Sequence, residues 1–176
     1  MAFLKTGVTA ALMAGLIAGS AFAQSQSSNR VAAQTDWSVF VEDSPTECWG
    51  VSTPKETVNS RNGNVVAVNR GQTLLMVFYR PSAGANGQVA FTGGYPFASG
   101  SSVTLDIGGT TFDLFTEGEW AWPATTADDA KIIAAMKRGA EAKLTGRSGR
   151  GTQTDDTFSL LGFTAAVDDA AKRCGG

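Results

Sequence analysis

Alternation of apolar and polar residues is clearest over residues 102–123, where two alternating runs flank the dipeptide Gly108-Gly109. A two-residue glycine loop of this kind fixes the register of the strands on either side of it. Counting outward places Leu105 opposite Phe112 on an apolar face, so turn chemistry and cross-strand pairing agree. The pairs predicted in this way are Ile107 with Thr110, Asp106 with Thr111, Leu105 with Phe112, Thr104 with Asp113 and Val103 with Leu114.

Further alternating or apolar runs, bounded by glycine, proline or asparagine, predict more strands. The run LLMVFY over residues 74–79 is apolar on both faces, which is typical of a central strand buried on two sides. The segment 53–63 is expected to be a loop. The other predicted strands cover residues 37–41, 47–52, 64–68, 88–92, 141–145 and 156–161.

The period changes after Pro123, and two short helices are predicted, over residues 126–138 and 164–173. Thr125 or Thr126 can cap the first helix, and Gly139 is expected to end it in a left-handed conformation. Together these elements predict a mainly β protein with a single, mostly antiparallel β-sandwich-like domain and two short helices at its edge or face.

The first residues combine Lys5, an apolar run and the small-residue pattern of Ala21 and Ala23. This layout predicts a secretory signal peptide over residues 1–23, with a retained anchor helix as the alternative. Residues 24–35 are polar and are expected to form a flexible tether, and residues 36–176 form the domain. No later apolar run is long enough for a transmembrane segment in the mature chain. We therefore expect a periplasmic, cell-envelope-associated or secreted protein.

The chain has 14 Lys and Arg residues against 16 Asp and Glu residues, for a net charge of −2. No basic cluster of the kind that neutralises phosphates is present, so nucleic acid is not expected as a partner. Histidine is absent, which removes the usual general base and the commonest metal ligand. We therefore predict no catalytic residues, no metal site and no cofactor.

Two cysteines, Cys48 and Cys174, lie near the two ends of the domain. In an exported protein an even pair of cysteines favours a disulfide. Cys174 also falls on the apolar side of the second predicted helix, with Phe163, Ala166, Val167 and Ala170. A Cys48–Cys174 disulfide would therefore fasten this helix to the sheet.

Four aromatic residues are candidates for a partner-binding surface: Tyr95, Phe97, Trp120 and Trp122. Each pair is spaced by two residues, so its members share one face of an extended segment, and aromatic residues dominate binding hot spots. The competing interpretation places the same rings in the core of the sandwich, and for the two tryptophans it is the favoured one.

Arg147 and Arg150 could hold an anion together with neighbouring backbone amides, although such loops are more often simply solvated. Three carboxylate pairs could in principle serve acid–base chemistry. Two of these pairs are better explained as charges at helix N-termini. The pairs are Asp128 with Asp129, Asp155 with Asp156, and Asp168 with Asp169.

Four stretches resemble the invasion-associated locus B family of alphaproteobacterial envelope proteins. They are FTGGYPF (residues 91–97), GEWAWP (118–123), AAMKRG (134–139) and TFSLLGFTAA (157–166), followed by Cys174. The resemblance spans residues 37–174 and implies a small exported protein. The family is named for a role in host-cell invasion, and it brings no established catalytic residues to this chain.

The functional expectation is a non-enzymatic envelope protein that binds a protein or glycan partner. Two alternatives remain open: a carboxylate-dependent hydrolase acting on envelope material, and a purely structural envelope module. Exposure of the four aromatic rings favours binding, and their burial favours the structural module. A cleft with two separated carboxylates favours the enzyme.

Overall fold

The structure is a computed structural model that describes residues 29–175. The predicted signal peptide and residues 24–28 of the predicted tether lie outside the described residues. Within residues 29–175, neither helix combines the length and the apolar character needed to cross a membrane.

Twelve strands, one short 3₁₀ helix (Pro81–Ala83) and two α-helices make up the fold. The strands are β1 (Arg30–Gln34), β2 (Trp37–Asp43), β3 (Thr46–Ser52), β4 (Glu56–Arg61), β5 (Asn64–Val65), β6 (Leu74–Arg80), β7 (Ala85–Thr92), β8 (Ser102–Ile107), β9 (Thr110–Glu117), β10 (Trp120–Trp122), β11 (Glu141–Arg147) and β12 (Gln153–Ser159). The helices are α1 (Thr126–Met136) and α2 (Phe163–Arg173).

The mainly β, antiparallel fold class is confirmed. All strands belong to one sheet in the order β1-β2-β3-β6-β7-β10-β9-β8-β11-β12-β4-β5. This sheet folds back on itself, because strands far apart in that order meet across the core. Phe91 of β7 packs edge-on against Phe158 of β12 with ring centroids 6.1 Å apart, and Trp37 Nε1 of β2 donates to the carbonyl oxygen of Ser159, 3.0 Å away. The two halves of the sheet therefore enclose one main core.

The predicted β8–β9 hairpin has the predicted register, from Ile107 opposite Thr110 to Val103 opposite Leu114. Both turn glycines have positive φ, 59° for Gly108 and 86° for Gly109. The prediction of a central strand is also confirmed, because β6 lies between β3 and β7 and is buried over most of its length.

Both predicted helices are present. The Thr125 hydroxyl accepts a hydrogen bond from the Asp128 backbone N–H and so caps α1. Phe163, Ala166, Val167, Ala170 and Cys174 are all buried on one side of α2, as the sequence predicts. Cys174 forms a disulfide with Cys48 of β3, with their Cα atoms 5.9 Å apart.

Gly139 does not adopt the left-handed conformation expected of it, and the α1 cap residue Lys137 is right-handed with φ −62°. The requirement for glycine here is one of space. A Cβ at this position would lie 2.6 Å from Cγ2 of Ile107 and 3.0 Å from Cδ1 of Leu160. Just after α1 the backbone therefore passes so close to Ile107 and Leu160 that a side chain at position 139 has no room.

Three segments differ from the sequence prediction. Residues 30–34 of the predicted tether form β1, which pairs with β2, and Ala32 packs against the core. The predicted loop 53–63 contains β4, and the strand predicted over 64–68 is limited to β5. The polar composition of these segments hides their strands, because strands at or next to the edge of the sheet are held by backbone hydrogen bonds and bury few apolar side chains.

Asp129 links α1 to the sheet, because its buried carboxylate accepts a 2.8 Å hydrogen bond from the backbone N–H of Val89. Burial raises the pKa of this carboxyl above the unfolded value of 3.8, and the hydrogen bond from Val89 opposes the rise. The fold thus favours the neutral acid. This contribution to stability is complete below the unfolded pKa and is lost as the pH rises through the folded pKa.

Asp129→Asn keeps an oxygen that can accept from Val89. The unfolding free energy of this variant minus that of wild type is therefore expected to increase as the pH rises from about 3 to about 7. Denaturant unfolding of both proteins across that range measures the difference. Asp128→Asn is the control with the opposite sign, because hydrogen bonds from Thr125 and Lys131 lower the pKa of Asp128. A pH-independent difference for Asp129→Asn would contradict the prediction.

Candidate functional site

The sheet has a second apolar face that lies opposite the main core. In β6, Leu75 and Val77 point into the main core, whereas Met76 and Phe78 belong to a separate hydrophobic cluster. The buried apolar residues of α1 and α2 all belong to the main core. Within residues 29–175, no helix therefore covers the second cluster.

Aromatic rings form a row across this face on three neighbouring strands. Phe40 lies opposite Trp49, and Trp49 lies opposite Phe78. The first two rings are stacked, with centroids 5.5 Å apart and planes 6° apart, and the next two centroids are 6.1 Å apart. The Arg80 guanidinium lies over the Phe78 ring, 4.2 Å from its centroid, and pairs with Glu47 at 3.0 Å.

Trp120 and Trp122 continue the same face on β10. Both pack against the second cluster, and their rings stack with centroids 5.6 Å apart. Phe115 of β9 pairs with Trp122 and is 49% exposed. The outer aromatic face, as we call it, crosses six adjacent strands, about 24 Å of sheet at the usual strand spacing. Its residues are Phe40, Trp49, Phe78, Phe115, Trp120 and Trp122.

The four aromatic residues singled out from the sequence do not form one surface. Trp120 and Trp122 are half-buried on the outer aromatic face. Phe97 is only 8% exposed and packs in the main core against Phe91, with ring centroids 6.2 Å apart. Tyr95 packs edge-on against Phe97 at 5.0 Å and is half-buried. The two tryptophans therefore belong to the outer aromatic face, whereas Tyr95 lies at a separate site.

Phe40, Trp49, Phe78 and Phe115 were not singled out from the sequence, although a signal for two of them is present. In β2, Ser38, Phe40 and Glu42 share the outward phase of the alternation, so Phe40 is a large ring among polar residues. In β3, Trp49 shares the outward, half-buried phase of Glu47 in the same way. An aromatic residue in the polar phase of a strand indicates a second apolar face.

A cleft of about 570 Å³ opens near Tyr95, at the loops between strands. Its walls come from four segments, residues 67–70, 94–96, 119 and 148–152, and from β4 and β12. The lining residues are Arg61, Ala67, Val68, Asn69, Arg70, Gly94, Tyr95, Pro96, Glu119, Ser148, Gly149, Arg150, Thr152 and Thr154.

Arg70 lines the cleft as its floor and is held in a buried ion pair with Asp156. Two guanidinium nitrogens of Arg70 donate to the two carboxylate oxygens of Asp156 at 2.8 and 2.6 Å. The Asp156 side chain is fully buried and also accepts a 2.8 Å hydrogen bond from the Thr57 hydroxyl. Arg70 Nε donates to the Gly93 carbonyl oxygen at 2.9 Å. This network fixes Arg70 and matches its charge.

Tyr95 is held between this floor and β12. Its hydroxyl shares a 2.5 Å hydrogen bond with the Thr154 hydroxyl, and the Arg70 guanidinium lies 5.1 Å from the ring centroid. Burial raises the pKa of the Tyr95 phenol, although the hydrogen bond from Thr154 and the charge of Arg70 oppose the rise. The phenol is therefore a neutral hydrogen-bonding group at physiological pH.

The rim of the cleft is positively charged. Arg61 donates to the Thr152 hydroxyl at 2.7 Å, and Arg150 is exposed on the loop after β11. Neither guanidinium is ion-paired with a carboxylate within residues 29–175. Glu119 is the one carboxylate among the residues that line the cleft. Two unpaired positive charges thus face one negative charge.

The sequence suggested that Arg147 and Arg150 could hold an anion together, but the structure does not bring both of them to the cleft. Arg150 lines the cleft and Arg147 does not. The nearby amides of Gly149 and Gly151 already donate to carbonyl oxygens, those of Pro96 and Ser148. These two amides are therefore not free to bind an anion in the cleft.

The acidic pairs have partners that account for them structurally. Asp156 pairs with Arg70, and Asp129 accepts from Val89. Asp168 and Asp169 pair with Lys137 and Arg173 respectively. Among residues 29–175, no group of three or more acidic or cysteine side chains is arranged to hold a metal ion.

Comparison with known proteins identifies the family of this chain. The model of the family described as "Invasion associated locus B (IalB) protein" matches residues 37–171. This chain belongs to the IalB family. A crystal structure of invasion associated protein B from Bartonella henselae is similar to it, with 15% identity and a TM-score of 0.55, and covers 82% of this chain and 98% of the Bartonella chain. At that identity the likeness shows a shared fold. A comparison with curated protein sequences found no match.

One stretch behind the family resemblance, Gly162-Phe163, has a structural explanation in this IalB-family chain. Gly162 has φ 88° at the start of α2, and a Cβ there would collide with the carbonyl oxygen of Gln34. The Phe163 ring packs edge-on against Trp37 at 4.8 Å. The step from β12 into α2 therefore needs glycine for its backbone and phenylalanine for its packing.

Proposed function

We propose that this IalB-family protein is an exported, non-enzymatic protein of the cell envelope that binds a partner through the outer aromatic face. The observation that carries the proposal is a face six strands wide that no described helix covers, in which five half-buried or exposed rings surround the buried Phe78. Export is supported by the signal-peptide pattern of residues 1–23 and by the disulfide, since disulfides persist in oxidising compartments.

The geometry of the rings favours a protein partner over a glycan. Sugars stack on free ring faces, but Phe40 stacks on Trp49, and Trp120 on Trp122, so these ring faces are turned toward one another. Tryptophan, other aromatic residues and arginine are the residue types that dominate protein–protein hot spots, and Arg80 lies in the same row. A width of about 24 Å also suits a standard interface of about 800 Å² per partner.

The test is crosslinking in intact cells followed by pull-down of wild type, Phe115→Glu and Trp120→Ala. Phe115→Glu places a charge at a 49% exposed position on the face, so it is expected to abolish the crosslinked protein partner with little effect on folding. Leu161→Glu is the matched control, because Leu161 is 62% exposed and lies outside the face.

Circular dichroism and a thermal melt establish that each variant is folded before its partners are compared. If folded Phe115→Glu and Trp120→Ala proteins retain every crosslinked partner, the proposed surface is wrong. If wild type captures no protein but binds a glycan, and the variants lose that glycan binding, the glycan alternative is favoured. Turnover of a glycan or peptide by the purified protein would overturn the non-enzymatic assignment.

A further inference from the structure

We propose that the cleft beside Tyr95 binds a small anionic sugar, that is, a saccharide carrying a carboxylate or a phosphate group. This site is separate from the outer aromatic face, and the proposal does not depend on that face. Its volume of about 570 Å³ is within the range of small-molecule sites.

The charge of the rim selects an anion. Arg61 and Arg150 have no carboxylate partner within residues 29–175, whereas the charge of Arg70 is matched by Asp156. The whole chain has a net charge of −2, so this positive rim stands out against an acidic protein. Guanidinium groups bind carboxylates and phosphates through paired N–H donors, which is why both anions fit the site.

The remaining lining favours a hydroxylated ligand over a bare ion. Thr152, Ser148 and Asn69 supply short polar side chains, and Ala67 and Pro96 supply apolar patches between them. A sugar ring presents alternating hydroxyl and C–H surfaces that match such a lining. The Arg70–Asp156 and Tyr95–Thr154 contacts keep the floor rigid, so the cleft is formed in advance and little ordering is needed on binding.

The experiment is a titration of the purified protein with glucose 6-phosphate, glucuronic acid, inorganic phosphate and glucose, followed by NMR and calorimetry. Glucose 6-phosphate, glucuronic acid or both are expected to bind, to shift the amide signals of residues 148–152 and to outcompete glucose. Binding of the phosphate sugar alone, or of the carboxylate sugar alone, identifies which anionic group the cleft selects.

Arg61→Gln and Arg150→Gln are each expected to weaken sugar binding by about tenfold. Glu119→Gln removes the opposing charge and is expected to strengthen it. Arg147→Gln is the matched control, because Arg147 is exposed on the neighbouring stretch but does not line the cleft. No variant touches the Arg70–Asp156 pair, so folding is preserved.

Four results would overturn the proposal. The first is no binding of either anionic sugar, and the second is equal binding of glucose and glucose 6-phosphate. The third is an affinity that Arg61→Gln and Arg150→Gln leave unchanged. Amide shifts confined to β3, β6 and β10 would place the ligand on the outer aromatic face and would also contradict it. Phe115→Glu separates the two proposals, because it is expected to abolish partner crosslinking and leave sugar binding intact.

Discussion

A variant with alanine at both Cys48 and Cys174 is expected to lose about 5 kcal/mol of unfolding free energy. The disulfide closes a loop between cysteines 126 residues apart, and in the chain-entropy model a loop of that length restricts the unfolded chain strongly. Both side chains are buried, and the bond fastens α2 to β3. Losses of this size exceed a third of the stability of many domains, so the effect is among the largest available in this protein.

Urea unfolding at neutral pH measures the effect in three samples: oxidised wild type, reduced wild type and the double alanine variant. Reduced wild type and the variant are expected to unfold at similar urea concentrations, and reductant is expected to leave the variant unchanged. A midpoint for the reduced protein equal to that of the oxidised one would show that the cross-link contributes nothing to stability.

Asp156→Ala is expected to destabilise the fold by about 3–5 kcal/mol, because it leaves a buried guanidinium without its partner. The Arg70 side chain is only 9% exposed and the Asp156 side chain is fully buried. Three hydrogen bonds to the Asp156 carboxylate are lost together, two from Arg70 and one from Thr57. The floor of the cleft would be lost with them.

Asp155→Ala is the matched control for this prediction, because Asp155 directly precedes Asp156 in β12 but faces the other side of the strand. Its carboxylate bonds to Thr145 and Gln153 and is partly exposed, so its loss is expected to cost about 1 kcal/mol. A second variant, Arg70→Met with Asp156→Leu, is expected to recover much of the stability. Equal losses from Asp155→Ala and Asp156→Ala in chemical denaturation would contradict the prediction.

The parts of the fold that local chemistry decides could be predicted from sequence. Gly108-Gly109 fixes a two-residue turn, and that turn sets every pairing of the β8–β9 hairpin. The apolar side of α2 and the Thr125 cap of α1 are local in the same sense. In each case neighbours in the chain are also neighbours in space, so spacing carries the information.

Of the strands that were missed, β4 depends on a partner far along the chain. β4 pairs with β12, about a hundred residues later, and few of its side chains are apolar. Gly139 shows the same limit in another way, since its need for glycine comes from Ile107 and Leu160 on other elements. No window of sequence around such positions contains the residues that decide their structure.

For the candidate sites, too, only the features decided by neighbouring residues could be predicted from the sequence. The spacing of Trp120 and Trp122 was readable, and the pair does share one face of β10. Whether that face points into the core or away from it depends on the sheet order, which sequence periodicity does not supply. The cleft could not be predicted, because Arg61 and Arg70 come from one part of the chain and Arg150 from another part far along it.

The two edges of the sheet bear on how a partner can be recognised. Within residues 29–175 the sheet ends in β1 on one side and β5 on the other. β5 has only two residues, and the pairing of β1 shifts between Arg30 and Ala32. Short or irregular edges discourage the addition of a further strand, and peptides that bind by extending a sheet need a long regular one. For the partner that we propose, recognition is therefore expected to rely on side chains, and a partner segment need not be extended to fit.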